Sequence, residues 1–171
     1  MPTPLIFLTH LLLGYLAWLL CFGTYLWPRL KALPHFEAQR AIAMLHAWRF
    51  FGLVFIVPGV VGPDLPASFA NLAAYGDFAT GVLALLALLA ARTRPLFWLL
   101  VVAFNVAGFV DLVAAYFHAV LAGLPDVAGQ LGGAYAVVIV YVPLLMITHL
   151  AAFWLMARSV AAKRQRAVSA G

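Results

Sequence analysis

Seven polar residues stand inside long apolar stretches of the sequence, and their side chains are of the types that carry protons, form ion pairs or bind metals. They are His10, His46, Arg49, Asp77, Asn105, Asp111 and His149. An ionisable group in an apolar medium is costly unless it is paired or reaches water, so such residues indicate a function by default. We take these seven as the candidate site.

A proton-linked binding site is the first interpretation of this set. Asp77 or Asp111 would change protonation, while Arg49 would hold a carboxylate or similar group of the ligand. His46 and Arg49 are three residues apart, which places them on one face of a helix. This chemistry favours a non-catalytic protein that binds or transports a small ligand, and the sequence leaves open whether the chain is an enzyme.

The composition indicates where these residues must sit. Of 171 residues, 67% are hydrophobic and 9% are charged, whereas soluble domains are about half apolar and about a quarter charged. A water-soluble enzyme and a nucleic-acid-binding protein are therefore excluded. Cys21 is the single cysteine, which excludes an intrachain disulfide and a cysteine-based zinc site. The chain is predicted to be an all-α integral membrane protein.

Five stretches are long and apolar enough to cross roughly 30 Å of hydrocarbon, which takes about 20 helical residues. The predicted spans cover residues 4–27, 41–61, 68–91, 95–121 and 131–157. They form a five-helix transmembrane domain, residues 1–158, which is followed by a basic tail, residues 159–171.

The basic residues predict the orientation of these spans. All of them except Arg49 fall between spans one and two, between spans three and four, or after span five. The opposite loops, residues 62–66 and 124–127, carry none. Because basic loops stay in the cytoplasm, the N-terminus is predicted outside and the C-terminus inside, with the tail touching anionic lipid.

Depth in the bilayer separates the candidates into layers. Counted along each span from its cytoplasmic end, Arg49, Asp77 and Asn105 lie near the middle, at roughly 13 to 17 Å. His10 and Asp111 lie in the outer half, at roughly 22 to 24 Å. Arg49 is then expected to pair with Asp77, and His10 with Asp111. In a purely structural interpretation, these two pairs only specify the order of the helices.

A haem site is the alternative function. A b-type haem in a helical bundle needs two axial histidines from different helices at one depth. His46 and His149 share the inner leaflet at roughly 6 to 9 Å, and Arg40, Arg92 or Arg158 would be available for the propionates. A metal site that combines these two histidines with a carboxylate is a third interpretation.

Several segments resemble a family of small bacterial membrane proteins without an assigned activity. The matching segments are YLWPRL at 25–30, LHAWRFFG at 45–52, GVVGPDLP at 59–66, AYGD at 74–77, NVAGFVD at 105–111 and VPLLMITH at 142–149. The resemblance covers most of the chain and implies a multi-pass protein of the bacterial cytoplasmic (inner) membrane.

The first 40 or so residues are also similar to the first span of the membrane-embedded bacterial protoporphyrinogen oxidase. The similarity rests on His10, Trp18 and the segment GTYLWPRL at 23–30. That family has a lysine in a later span, and this sequence has none in any predicted span. The similarity implies haem-related chemistry and is consistent with haem b as a cofactor.

The expected partners are the lipid bilayer and a small-molecule ligand, with no nucleic acid. Five spans are few for a carrier, so we also expect a homo-oligomer or another membrane protein as a partner.

Overall fold

The computed structural model describes residues 2–169, with the side chains of residues 2–159 and 165. Within this part of the chain, the regular elements are all helices, which confirms the all-α class. The α-helices are α1 (Thr3–Cys21), α2 (Trp27–Ala32), α3 (His35–His46), α4 (Ala67–Leu89), α5 (Arg94–Leu121) and α6 (Val142–Ser169). Residues 170 and 171 of the predicted basic tail lie outside the described residues, and the backbone up to Ser169 continues α6.

Short helical segments of other types join these helices. A π-helical segment, Phe22–Leu26, connects α1 to α2, and a second, Val137–Tyr141, leads into α6. Three 3₁₀ segments cover Ala47–Ile56, Ala90–Arg92 and Ala128–Ala134. The first of these, Ala47–Ile56, continues α3 directly and is called the 3₁₀ segment below.

Prolines set several of the helix starts. Pro34 and Pro66 precede α3 and α4 in extended or near-extended backbone, and Pro95 lies in the first turn of α5. Proline fits these positions because its missing N–H would have no partner in the first turn of a helix. The helix boundaries predicted at residues 68 and 95 are therefore close to those observed.

Four helical stretches are long and apolar enough to cross a membrane. They are Thr3–Ala32, Ala67–Arg92, Arg94–Leu121 and Val137–Ser159. These correspond to predicted spans one, three, four and five. The last one begins later than the predicted residue 131, because Gly132 adopts a positive φ of 51° and interrupts the helix there.

The predicted second span, residues 41–61, is not among these four. Its α-helix ends at His46, the 3₁₀ segment follows to Ile56, and Val57 is extended. Two glycines bring this segment close to α4: a Cβ at Gly81 would meet the backbone of Phe50, and a Cβ at Gly52 would overlap the side chain of Asp77. The segment therefore packs backbone to backbone against α4, as small residues allow in membrane bundles.

Candidate functional site

The guanidinium of Arg49 is the centre of the site, and all three of its nitrogen atoms contact acceptors. Nε donates to Oδ1 of Asp77 at 2.6 Å, and Nη2 donates to Oδ2 of Asp111 at 2.6 Å. Nη2 also lies 2.5 Å from Oδ1 of Asp77. Nη1 donates to the carbonyl oxygen of Gly108 at 3.2 Å and to Nε2 of His149 at 3.1 Å. One buried cation is thus shared by two carboxylates.

This centre is shielded from solvent. The side chain of Arg49 is 0% exposed, that of Asp77 is 5% exposed and that of Asp111 is 9% exposed. Ion pairs are screened little in such surroundings, and the desolvation of each ion is costly. Because every nitrogen of Arg49 is engaged, none is left for the ligand carboxylate that the sequence led us to expect there.

Three glycines make room for these side chains. A Cβ at Gly108 would collide with Nη1 of Arg49, and a Cβ at Gly76 would collide with the carboxylate of Asp111. Gly52 fills the same role beside Asp77. This role was not predicted from the sequence, although glycine inside a helix costs about 1 kcal/mol relative to alanine. The available signal was that each of these glycines lies within three residues of an ionisable residue in a predicted span.

His149 extends the network, and its tautomer follows from its partners. Arginine cannot accept a hydrogen bond, so Nε2 of His149 is the acceptor from Arg49. Nδ1–H of His149 then donates to Oδ1 of Asn105 at 3.0 Å. The amide of Asn105 in turn donates to the carbonyl oxygen of Val101 at 2.8 Å. His149 is therefore neutral and held in one orientation.

His46 packs beside His149, and the two ring centroids are 4.0 Å apart. Nε2 of His46 is 3.0 Å from the hydroxyl of Thr148, which also donates to the carbonyl oxygen of Leu144 at 2.8 Å. Since the hydroxyl proton is used in that second bond, Nε2–H of His46 is the donor to Thr148. Nδ1 of His46 has no hydrogen-bond partner within the described residues.

The two histidines do not fit a haem. An iron between axial ligands would need the imidazoles on opposite sides of a porphyrin plane, whereas the rings of His46 and His149 are in direct contact. Both Nε2 atoms already have partners in Thr148 and Arg49. Among the residues that the structure describes, no group of three or more His, Cys, Asp or Glu could hold a metal ion.

His10 lies apart from the other six candidates. Its ring is exposed, and Nδ1 is 2.9 Å from the hydroxyl of Tyr135. The expected pair of His10 with Asp111 is therefore wrong, because Asp111 pairs with Arg49 instead. The contact between Arg49 and Asp111 was not predicted, because depth was counted from residue positions along each span. The long arginine side chain spans the difference in depth and reaches both carboxylates.

A cavity of about 110 Å³ adjoins the two carboxylates. Among the described residues its lining includes both Asp77 and Asp111 but not Arg49. The rest of the lining is almost entirely apolar or aromatic, including Phe7, Phe69 and Tyr116. The two aspartates thus border an almost wholly apolar space, and Arg49 is not part of its described lining.

Comparison with known proteins finds one family. Residues 6–157 match a family described as a domain of unknown function (DUF8737). No curated protein and no solved structure matches the chain. The matched range contains all seven candidate residues, from His10 to His149.

Proposed function

The chain belongs to the DUF8737 family, and we propose that it is an integral membrane protein whose paired carboxylates bind a proton in exchange for a small ligand. The observation that carries this proposal is the single guanidinium of Arg49 shared by Asp77 and Asp111 at the edge of an apolar cavity. The activity is binding, or transport linked to protons, without covalent chemistry.

The charge of the centre supports a proton site. Arg49 stays protonated at any accessible pH, so two ionised carboxylates would leave one negative charge without a partner. An uncompensated buried charge is unfavourable by several kcal/mol. A proton on Asp77 or Asp111 removes that charge, and so does a cation in the cavity. Proton and ligand therefore compete for the same charge.

We further propose five spans, with the N-terminus outside and the C-terminus in the cytoplasm of a bacterial inner membrane. The stretch from α3 through the 3₁₀ segment has 12 α-helical and 10 3₁₀ residues. At about 1.5 and 2.0 Å per residue it is roughly 38 Å long, enough to cross the hydrocarbon. The placement of the basic residues supports this orientation.

The orientation is tested by cysteine labelling on a Cys21→Ser background. Asp64→Cys and Asp126→Cys are expected to react with a membrane-impermeant maleimide added to intact cells, whereas Arg94→Cys is expected to react only after the membrane is opened. The reverse pattern would refute the orientation. The second span is tested by Glu37→Cys, which lies between predicted spans one and two with its side chain 46% exposed; labelling of Glu37→Cys on the same side as Asp64→Cys would refute five spans.

The proton site is tested by infrared spectroscopy of the purified protein in mild detergent at a series of pH values. We expect the C=O band of a protonated, buried carboxyl group that disappears at high pH. Asp111→Asn or Asp77→Asn should remove or shift this band, and Asp126→Asn, the same change at an exposed loop residue, should leave it unchanged. If no buried carboxyl band titrates, the centre is only a structural clamp.

A further inference from the structure

The chemistry of the cavity identifies the class of ligand that competes with the proton. We propose that the cavity beside Asp77 and Asp111 binds a small hydrophobic ammonium cation, one cation replacing one proton. This inference rests on the proposed function, since it names the substrate class of the same site.

The polar side chains in the described cavity wall are two aspartates and Tyr116. Oδ1 of Asp77 and Oδ2 of Asp111 are bound to Arg49. Both aspartates line the cavity, and the hydroxyl of Tyr116 lies 2.7 Å from that of Tyr15. A ligand at this position must therefore donate hydrogen bonds or carry positive charge. An anion finds only like charges there, because every nitrogen of Arg49 is occupied.

The aromatic lining favours a cation over a neutral donor. Phe7, Phe55, Phe69 and Tyr116 all contribute to the wall, and the π faces of aromatic rings attract ammonium groups by about 0.5 to 2 kcal/mol. Two acidic side chains, four aromatic rings and an otherwise aliphatic wall would hold a charged head group together with its hydrocarbon body.

The size of the cavity limits the ligand to a small molecule. An engineered apolar cavity of about 150 Å³ accommodates benzene, so a cavity of 110 Å³ suits a body somewhat smaller than that. Butylammonium, with four carbons and one nitrogen, is a suitable probe. Butanol and butyrate have the same hydrocarbon body with a neutral or a negative head group.

The exchange is balanced in charge and protons. The protein with one protonated carboxyl group binds the ammonium ion and releases one proton to solution. The other titratable or charged groups around the carboxylates are Arg49, His149 and Tyr141, together with Tyr116 in the cavity wall. Arg49 is fixed in charge and His149 is held neutral by its partners, so the proton comes from the carboxylates.

Calorimetry on the full chain in mild detergent tests this inference. Titrations of butylammonium chloride in two buffers with different ionisation enthalpies report both the affinity and the number of protons released. We expect binding with about one proton released, and an affinity that rises about tenfold per pH unit while the carboxyl group remains protonated. Butanol should bind more weakly and butyrate should not bind.

Two variants separate the contribution of the carboxylate charge from that of the cavity volume. Asp111→Asn should abolish proton release and weaken butylammonium binding at least about tenfold, which corresponds to about 1.4 kcal/mol. Ala119 lines the cavity and lies eight residues after Asp111 on α5, so Ala119→Leu should fill the space away from the carboxylates and block butylammonium while the infrared carboxyl band still titrates. The second variant keeps the test decisive if the first one does not fold.

The inference is overturned if butanol or butyrate binds as well as butylammonium, or if neither variant affects binding. If butylammonium fails to bind while the carboxyl band titrates normally, the ligand class is wrong and the proton site stands. If the band itself does not titrate, the proposed function fails, and this inference fails with it.

Discussion

Either of the two carboxylates around Arg49 can balance its charge. The stability of the protein should therefore respond differently when Asp77 and Asp111 are replaced singly and when they are replaced together. Asp77→Asn and Asp111→Asn each keep an oxygen that can accept from the guanidinium and each leave the other carboxylate in place. The double variant leaves Arg49, which is 0% exposed, without any counter-ion. We therefore expect the double variant to be destabilised by more than the sum of the single variants.

The structure sets the size of these effects. Asp77 contacts both Nε and Nη2 of Arg49, whereas Asp111 contacts Nη2 alone and is the more exposed of the two, at 9% against 5%. Loss of the more closely held carboxylate should lower the free energy of unfolding by about 3 kcal/mol, at the low end of the range for breaking a buried pair. Asp111→Asn should cost about 1.5 kcal/mol, the value of one hydrogen bond to a charged group. The double variant should exceed the sum by at least about 1 kcal/mol.

The assay is thermal unfolding in mild detergent, followed by the fluorescence of the tryptophans, with chemical unfolding to obtain free energies. For a chain of this length, 1 kcal/mol corresponds to a shift of the midpoint by roughly 2 to 4 °C. Asp126→Asn is the matched control, since Asp126 is exposed in a loop, and it should change the free energy of unfolding by less than about 0.5 kcal/mol.

Strict additivity of the two single variants would refute this reasoning, because it would mean that the carboxylates act independently of each other. An unchanged midpoint in Asp77→Asn would refute the buried pair itself.

Two further predictions concern the surroundings of the centre. Gly108→Ala should lower the free energy of unfolding by about 1 to 3 kcal/mol, because the new Cβ would collide with Arg49. Gly23→Ala is the control, since nothing lies within 4 Å of a Cβ at Gly23. It should be neutral or stabilising in the same unfolding assay. His149 should be found by ¹⁵N NMR as the neutral tautomer with its proton on Nδ1, and Asn105→Leu should destabilise the fold by about 1 to 3 kcal/mol by leaving that N–H unpaired. Detection of the Nε2–H tautomer in the folded protein would contradict the contact with Arg49.

Much of the helical architecture could be predicted from apolar run length and prolines. The starts of α4 and α5 were predicted within one residue, at residues 68 and 95, because proline stops a preceding helix and opens the next. The stretch of residues 41–61 was predicted less well. Its apolar length was visible, but the change from α-helix to 3₁₀ geometry after His46 depends on close packing against α4, which no local pattern shows.

The candidate residues were also largely predictable, and their partners only in part. The pairing of Arg49 with Asp77 follows from depth alone, since both lie near the middle of their spans. The contact of Arg49 with Asp111, the position of His10 beside Tyr135 and the direct contact of His46 with His149 do not. Depth gives one coordinate of a residue, whereas a contact also requires the rotation of each helix and the reach of each side chain.

The amino-acid sequence by itself determined that this is a helical, strongly apolar chain with a small set of costly polar residues buried in it, because composition and run length depend only on the order of residues. Tertiary structure alone decided that two carboxylates share one guanidinium and that both aspartates border an apolar cavity. That arrangement depends on glycines that let three helical segments approach closely, and close approach is a property of packed surfaces rather than of any single segment.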